Sequence, residues 1–173
     1  TKAVLRYIVD YYEAADQVWV PNHATGQTLR DYGYRGELVM VPNGSDLETT
    51  DQERAELRVQ ADDLLSLSAT RPVLLFVGQH VREKNVVFLV QALARLRDRG
   101  QPFTMLFVGD GYAREELERQ VQTLRLSDQV RFLGLIREPE SLRRLYARAD
   151  LFLFPSLYDN APLTVREAAA CGT

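Results

Sequence analysis

Two carboxylates, Asp159 and Glu167, stand eight positions apart near the end of a 173-residue chain and flank Asn160-Ala161-Pro162-Leu163-Thr164. Ionised carboxylates accept hydrogen bonds and donate none, which suits them to pairs of sugar hydroxyls. Pro162 fits a first helical turn and Asn160 lies in capping range. The amides of Leu163 and Thr164 then point out of a helix N-terminus, where a phosphate is welcome. The competing assignment makes Asp159 a turn residue and pairs Glu167 with Arg166 or Arg144.

Three further stretches carry chemistry. In Gly78-Gln79-His80-Val81-Arg82-Glu83-Lys84-Asn85, a glycine is followed by Arg82 and Lys84 just ahead of a helical pattern. Cations near a helix N-terminus are unfavourable unless an anion visits, so an anion site and a solvated charge cluster are both open readings. Lys84 is one of only two lysines, Lys2 being the other. Gly109-Asp110-Gly111-Tyr112 resembles half of a dinucleotide fingerprint with Arg114 in place of the third glycine; a tight strand-to-helix turn explains both glycines equally. Gly134-Leu135-Ile136 offers an apolar loop that could cover a nucleobase, or an ordinary turn beside a core leucine.

The elements that must position these residues are legible as alternating runs. Val18–Val20, Leu38–Val41, Val73–Val77, Thr104–Val108, Val130–Leu133 and Leu151–Phe154 are mostly apolar or β-branched, as strands buried on both faces are. Between them helical patterns span about His23–Tyr32, Asp51–Leu67, Asn85–Arg99, Ala113–Leu126, Glu138–Ala149 and Pro162–Ala170. Strand and helix in alternation predict a doubly wound α/β fold, a Rossmann-like parallel sheet with ligands at the carboxyl ends of its strands. Pro42-Asn43-Gly44 marks the expected junction, between residues 1–44 and 45–173.

Composition narrows the classes of function. The net charge of -3 and 26% charged residues give no basic surplus for nucleic acid. A single cysteine, Cys171, excludes an internal disulfide. No apolar run approaches the ~20 residues of a spanning helix. Together these predict a soluble, cytoplasmic protein.

In their order and spacing the motifs resemble the group 1 (family 4) retaining glycosyltransferases of GT-B architecture, specifically the nucleotide-sugar-binding C-terminal domain. The likeness runs from Ala15-Asp16-Gln17-Val18-Trp19-Val20-Pro21 and Val41-Pro42-Asn43-Gly44-Ser45-Asp46 through Phe76-Val77-Gly78, Glu83-Lys84-Asn85 and Val108-Gly109-Asp110-Gly111. It continues in Val130–Gly134 and Ala149–Ser156 and ends on Asp159–Glu167. It implies that residues 1–44 close the N-terminal acceptor domain and that 45–173 hold the donor domain, incomplete at its C-terminus. It implies transfer of a hexose from a UDP- or GDP-sugar to a glycan or lipid-linked acceptor, without cofactor or metal. Peripheral association with the inner face of a membrane follows from such acceptors.

By the same resemblance Lys84 meets the donor diphosphate, with Gly78, Gln79 and Arg82 beside it and Gly109 and Gly111 on the neighbouring loop. Leu135 and Ile136 lie against the base, and Glu167 takes the ribose hydroxyls. Asp159 holds the transferred sugar, while Asn160, Ala161, Pro162, Leu163 and Thr164 approach sugar and diphosphate. Three positions depart from the family: Gln79 replaces a common arginine, Asp159 a glutamate, and Asn160-Ala161-Pro162 a glycine-rich loop. Arg82 and His80 are the candidates to replace the missing charge. The alternatives are a nucleotide-sugar 2-epimerase, for which His23 and His80 form no evident pair, and a receiver-like signalling module, which Lys84 is badly placed to serve.

Overall fold

The structure, a computed structural model, describes residues 2–68 and 70–173. These fall into two compact units: the residues up to Gly44 with Asp159–Leu163, and Ser45–Tyr158 with Thr164–Thr173.

The first unit holds α1 (Lys2–Glu13), β1 (Val18–Val20), α2 (His23–Asp31) and β2 (Leu38–Met40). β1 and β2 pair in parallel, Val18 opposite Leu38. Val9, Val18, Val20 and Tyr34 are buried together beneath Tyr12, Leu29 and Leu38. Asn22 caps α2, its Oδ1 accepting the Thr25 amide at 2.8 Å, while its Nδ2 donates to the Asn160 carbonyl at 2.7 Å. Asn43 donates to the Ala161 carbonyl at 3.2 Å. The 159–163 segment is thus held by two asparagine amides of its own unit.

The second unit holds α3 (Asp51–Leu65), β3 (Val73–Val77), α4 (Val86–Asp98), β4 (Thr104–Val108), α5 (Arg114–Thr123), β5 (Val130–Gly134), α6 (Pro139–Arg148), β6 (Leu151–Phe152) and α7 (Leu163–Ala170), whose first residue belongs to the other unit. All four strands are parallel, in the order β5-β4-β3-β6. Side chains alternate across the sheet as the two-residue period of a strand requires. Leu74, Phe76, Met105 and Phe107 face α4 and α5, whereas Val73, Leu75, Leu106 and Val108 face α6 and α7. The sheet is covered on both faces, the doubly wound arrangement expected from its continuous apolar strands.

Several boundaries differ from the sequence expectation. α1 was not expected, although Leu5, Ile8, Val9 and Tyr12 recur at helical spacing and turn inward. α5 stops at Thr123 rather than Leu126 because Arg125 takes a left-handed φ of 53° and turns Leu126 into the core. α3 stops at Leu65, where Ser66 is left-handed at φ 47°. β6 covers two residues rather than four, since its ladder with β3 contains only Leu74–Leu151 and Leu75–Phe152.

Candidate functional site

The strand order places β3 between β4, which follows it, and β6, which comes last. Connections therefore leave β3 and β6 on opposite sides, and the crevice at their carboxyl ends is where doubly wound sheets bind ligands. Both loops at this crevice belong to the second unit and are tied together. The Glu83 carbonyl accepts the Leu157 amide at 3.1 Å and the Ser156 hydroxyl at 3.5 Å.

The loop after β3 is built by backbone packing. Gly78 N–H donates to Val108 O, His80 N–H to Asp110 O, and Ala113 N–H to His80 O, each at 2.9–3.0 Å. This close approach explains the two glycines after β4. A Cβ on Gly109, whose φ is +121°, would lie 2.0 Å from the Gly78 carbonyl oxygen. One on Gly111 would lie 2.5 Å from the His80 oxygen. Only a residue without Cβ lets the two loops touch.

Arg82–Lys84 form a single 3-10 turn, and Asn85, left-handed at φ 53°, opens α4 without a side-chain cap. Tyr112 fixes the turn: its hydroxyl accepts the Arg82 amide at 3.0 Å and donates to Glu83 Oε2 at 2.8 Å. The Glu83 amide and that hydroxyl hold the Glu83 carboxyl below its ordinary range. The Arg82 guanidinium is largely exposed, 3.8 Å from Glu116. The Lys84 ammonium lies 5.5 Å above the centre of the Phe154 ring, which belongs to the chain leaving β6. Lys84 therefore reaches from the β3 side of the crevice to the β6 side. Gln79 is exposed.

His80 turns away from the loop surface. It is fully buried, 5.9–6.0 Å from the rings of Phe76, Phe107 and Phe132. Of the two candidates to supply the charge that Gln79 lacks, Arg82 is exposed and His80 is not. Burial, reinforced by the Arg114 charge and opposed by Asp110 and Glu118, holds the imidazole pKa below its ordinary 6.5. Neither ring nitrogen has a hydrogen-bond partner among the described residues. His80→Leu, of similar volume, should therefore stabilise the protein by about 1–3 kcal/mol, read as a raised urea midpoint. A depressed folded-state pKa means that wild-type stability falls as pH drops below 6.5 and the loss is complete beneath the folded value. His80→Leu should remove that dependence.

Glu167, half-buried on α7, does not take the Arg144 partner weighed from sequence. Arg144 donates to Gln60 at 3.0 Å and approaches Glu140 at 4.0 Å. Glu167 Oε2 instead accepts the hydroxyl of Tyr146 at 2.7 Å. Sequence reading missed Tyr146, whose ring fills an apolar α6 position; only its polar tip hints at more. Leu135 is exposed and Ile136 packs toward the core with Leu133 and Leu142. The N-terminus of α6 beside it is already served, since Glu138 accepts the amides of Glu140 and Ser141.

In the first unit's segment, Asp159 and Asn160 are exposed and Ala161 and Pro162 half-buried. Leu163 is the first residue of α7, so Pro162 directly precedes the helix, and Thr164 lies in its opening turn.

The chain matches the family described as glycosyl transferases group 1 over residues 63–173. It is 32% identical over 135 residues to a GDP-mannose-dependent alpha-(1-6)-phosphatidylinositol dimannoside mannosyltransferase of Mycobacterium tuberculosis, covering 78% of this chain and 34% of that protein. Among solved structures it resembles a sucrose-phosphate synthase from Thermosynechococcus elongatus, with TM-score 0.83 and 29% identity over 100% of this chain and 43% of that one. It also resembles Anabaena HepE in complex with UDP-glucose, with TM-score 0.79 and 26% identity over 100% of this chain and 48% of that one. The chain spans about a third of the length of the curated relatives it matches.

Proposed function

The chain belongs to the group 1 glycosyl transferases, and on that premise we propose that it is the donor-binding part of a retaining glycosyltransferase. The whole protein would move a hexose from a nucleoside-diphosphate sugar to an acceptor hydroxyl. One observation carries this reading: at the reversal of strand order, the Lys84 ammonium from the β3–α4 connection lies over Phe154 from the β6 side.

Lys84, with Gly78, Gln79 and Arg82 beside it, meets the diphosphate and stabilises charge as the sugar leaves. Gly109 and Gly111 contribute by seating the neighbouring loop against Gly78 and His80. Backbone of Leu135 and Ile136 faces the base, and Glu167 takes the ribose hydroxyls. Asp159 takes the sugar, with the amides of Asn160, Ala161, Leu163 and Thr164 near sugar and phosphate. Retention, the absence of a metal, and a glycan or lipid-linked acceptor at the inner face of a membrane rest on the family resemblance. No described helix is long and apolar enough to cross a membrane. The transferase relatives lend nothing to the epimerase or receiver alternatives. His80 is moreover buried away from any base's role.

Calorimetric titration of the full-length protein with UDP, GDP, ADP and TDP tests the reading. One of the four should bind, and Glu167→Ala should weaken it about 10- to 100-fold by removing charge-assisted hydrogen bonds. Binding of none, or unchanged affinity in Glu167→Ala, rejects it.

A further inference from the structure

Tyr146, fully buried on α6, links two residues assigned above to the donor site, Glu167 and Lys84. Its hydroxyl donates to Glu167 Oε2 at 2.7 Å. Its ring packs 5.8 Å from Phe152, Phe152 stacks on Phe154 at 6.3 Å, and Phe154 carries the Lys84 ammonium at 5.5 Å. An aromatic ladder along β6 thus has the Glu167 carboxylate at one end and the Lys84 ammonium at the other. All of its members lie in the second unit. Burial and the Glu167 charge push the phenol well above its ordinary pKa, so it remains a donor throughout the physiological range.

A long carboxylate side chain that must stop moving before it can bind charges that entropy to the ligand. A side chain already locked by a buried donor does not. One Glu167 oxygen is committed to Tyr146, and the other retains its full capacity as an acceptor.

We propose that Tyr146 is the positioning residue of the ribose subsite: it fixes the Glu167 carboxylate through Oε2 and leaves Oε1 for the ribose hydroxyls of a nucleoside diphosphate. Selectivity for ribose over 2′-deoxyribose is then set by a residue that the ligand never touches. The proposal rests on the donor reading of Glu167 given above.

The test is the affinity of the full-length protein for UDP or GDP, whichever binds more tightly, against its 2′-deoxy counterpart. Wild type should prefer the ribonucleotide by about 10-fold, one charge-assisted hydrogen bond. Tyr146→Phe keeps the ring, should bind the deoxynucleotide within about twofold of wild type, and should retain only a two- to threefold preference. On a Glu167→Ala background the same substitution should change nothing further. Phe152→Leu removes the ring beneath Tyr146 but keeps the hydroxyl pair, and should keep the preference.

Equal weakening of both nucleotides in Tyr146→Phe, or loss of the preference in Phe152→Leu, assigns Tyr146 to packing alone and overturns the proposal. So does an intact preference in Tyr146→Phe, while loss in Glu167→Ala leaves the donor reading standing. A wild-type protein that binds neither nucleotide, or does not tell ribose from deoxyribose, rejects the donor reading itself and this proposal with it.

Discussion

Lys84→Met should lower kcat of the full-length enzyme about 100- to 1,000-fold while leaving the protein folded. That is the scale on which removing one fixed donor aimed at developing charge acts. As the glycosidic bond breaks, negative charge builds on the departing diphosphate, and a point charge already in place needs no reorganisation to meet it. Lys84 is held in place by its frame. Tyr112 binds the Arg82 amide and Glu83 carboxylate, and Leu157 binds the Glu83 carbonyl, so the 3-10 turn is fixed at the two residues just ahead of Lys84. Methionine keeps most of the stem over Phe154 while giving up the charge and with it a cation–π contact worth about 0.5–1 kcal/mol. Lys84→Arg restores charge without the compact ammonium and should recover only part of the rate. Steady-state kinetics with a nucleotide-sugar donor decide the point. A larger loss in kcat than in nucleoside-diphosphate affinity identifies an interaction made chiefly in the transition state. Wild-type turnover by Lys84→Met would rule the role out.

Much of this architecture was legible in the sequence because the strands carry their own signature. Val73–Val77 is apolar without interruption and Thr104–Val108 is apolar but for β-branched Thr104, and every residue in them is buried. A strand with two covered faces has no other way to read. α1 escaped because its inward stripe is mixed with exposed Val4, Tyr7 and Tyr11, which blur the helical period. β6 was overextended because Leu153 and Phe154 are as apolar as Leu151 and Phe152. Leu153 makes one more bond, to Leu75 O, outside the assigned ladder, and Phe154 serves as the seat of Lys84.

The candidate site divides in the same way. Gly109 and Gly111 were visible as a motif, but whether a glycine faces a ligand or another backbone is a three-dimensional fact. Here the neighbours are the oxygens of Gly78 and His80. His80 looked like a polar member of the loop, since nothing local in the sequence announces Phe76, Phe107 and Phe132 converging on it from three strands. The partner of Glu167 lies 21 positions upstream, on a different helix. Charge counting favoured arginines nearby, and a tyrosine in an apolar helix face gives no signal of its own.

The largest effect on stability should come from Asp150, which closes α6 onto the start of β6. Asp150→Ala should destabilise the protein by about 3 kcal/mol, a fall of about 6–12 °C in melting temperature for a domain of this size. Its backbone amide donates to Val73 O and its Oδ2 accepts Val73 N–H, both at 2.8 Å, so one residue clasps both polar groups at the head of β3. Oδ2 also accepts Arg148 at 3.0 Å and Oδ1 accepts Arg58 at 2.8 Å. Arg148 is 3% exposed and, among the described residues, otherwise meets only Asp62 in an ion pair. Alanine therefore leaves a buried guanidinium short of countercharge and a strand amide without its acceptor. Breaking a fully buried pair costs about 3–5 kcal/mol. The low end applies because the Asp150 side chain is 36% exposed and water screens part of the attraction. Partial burial raises the Asp150 pKa, but Arg58, the Val73 amide and Arg148 outweigh it and hold the carboxyl below its ordinary 3.8. A depressed carboxylate contributes fully above 3.8 and loses its contribution as pH falls through the folded value. The gap between wild type and Asp150→Ala should thus be constant near neutrality and narrow in acid below pH 3.8. Melting within a degree of wild type at pH 7 would reduce the cluster to an ordinary surface ion pair.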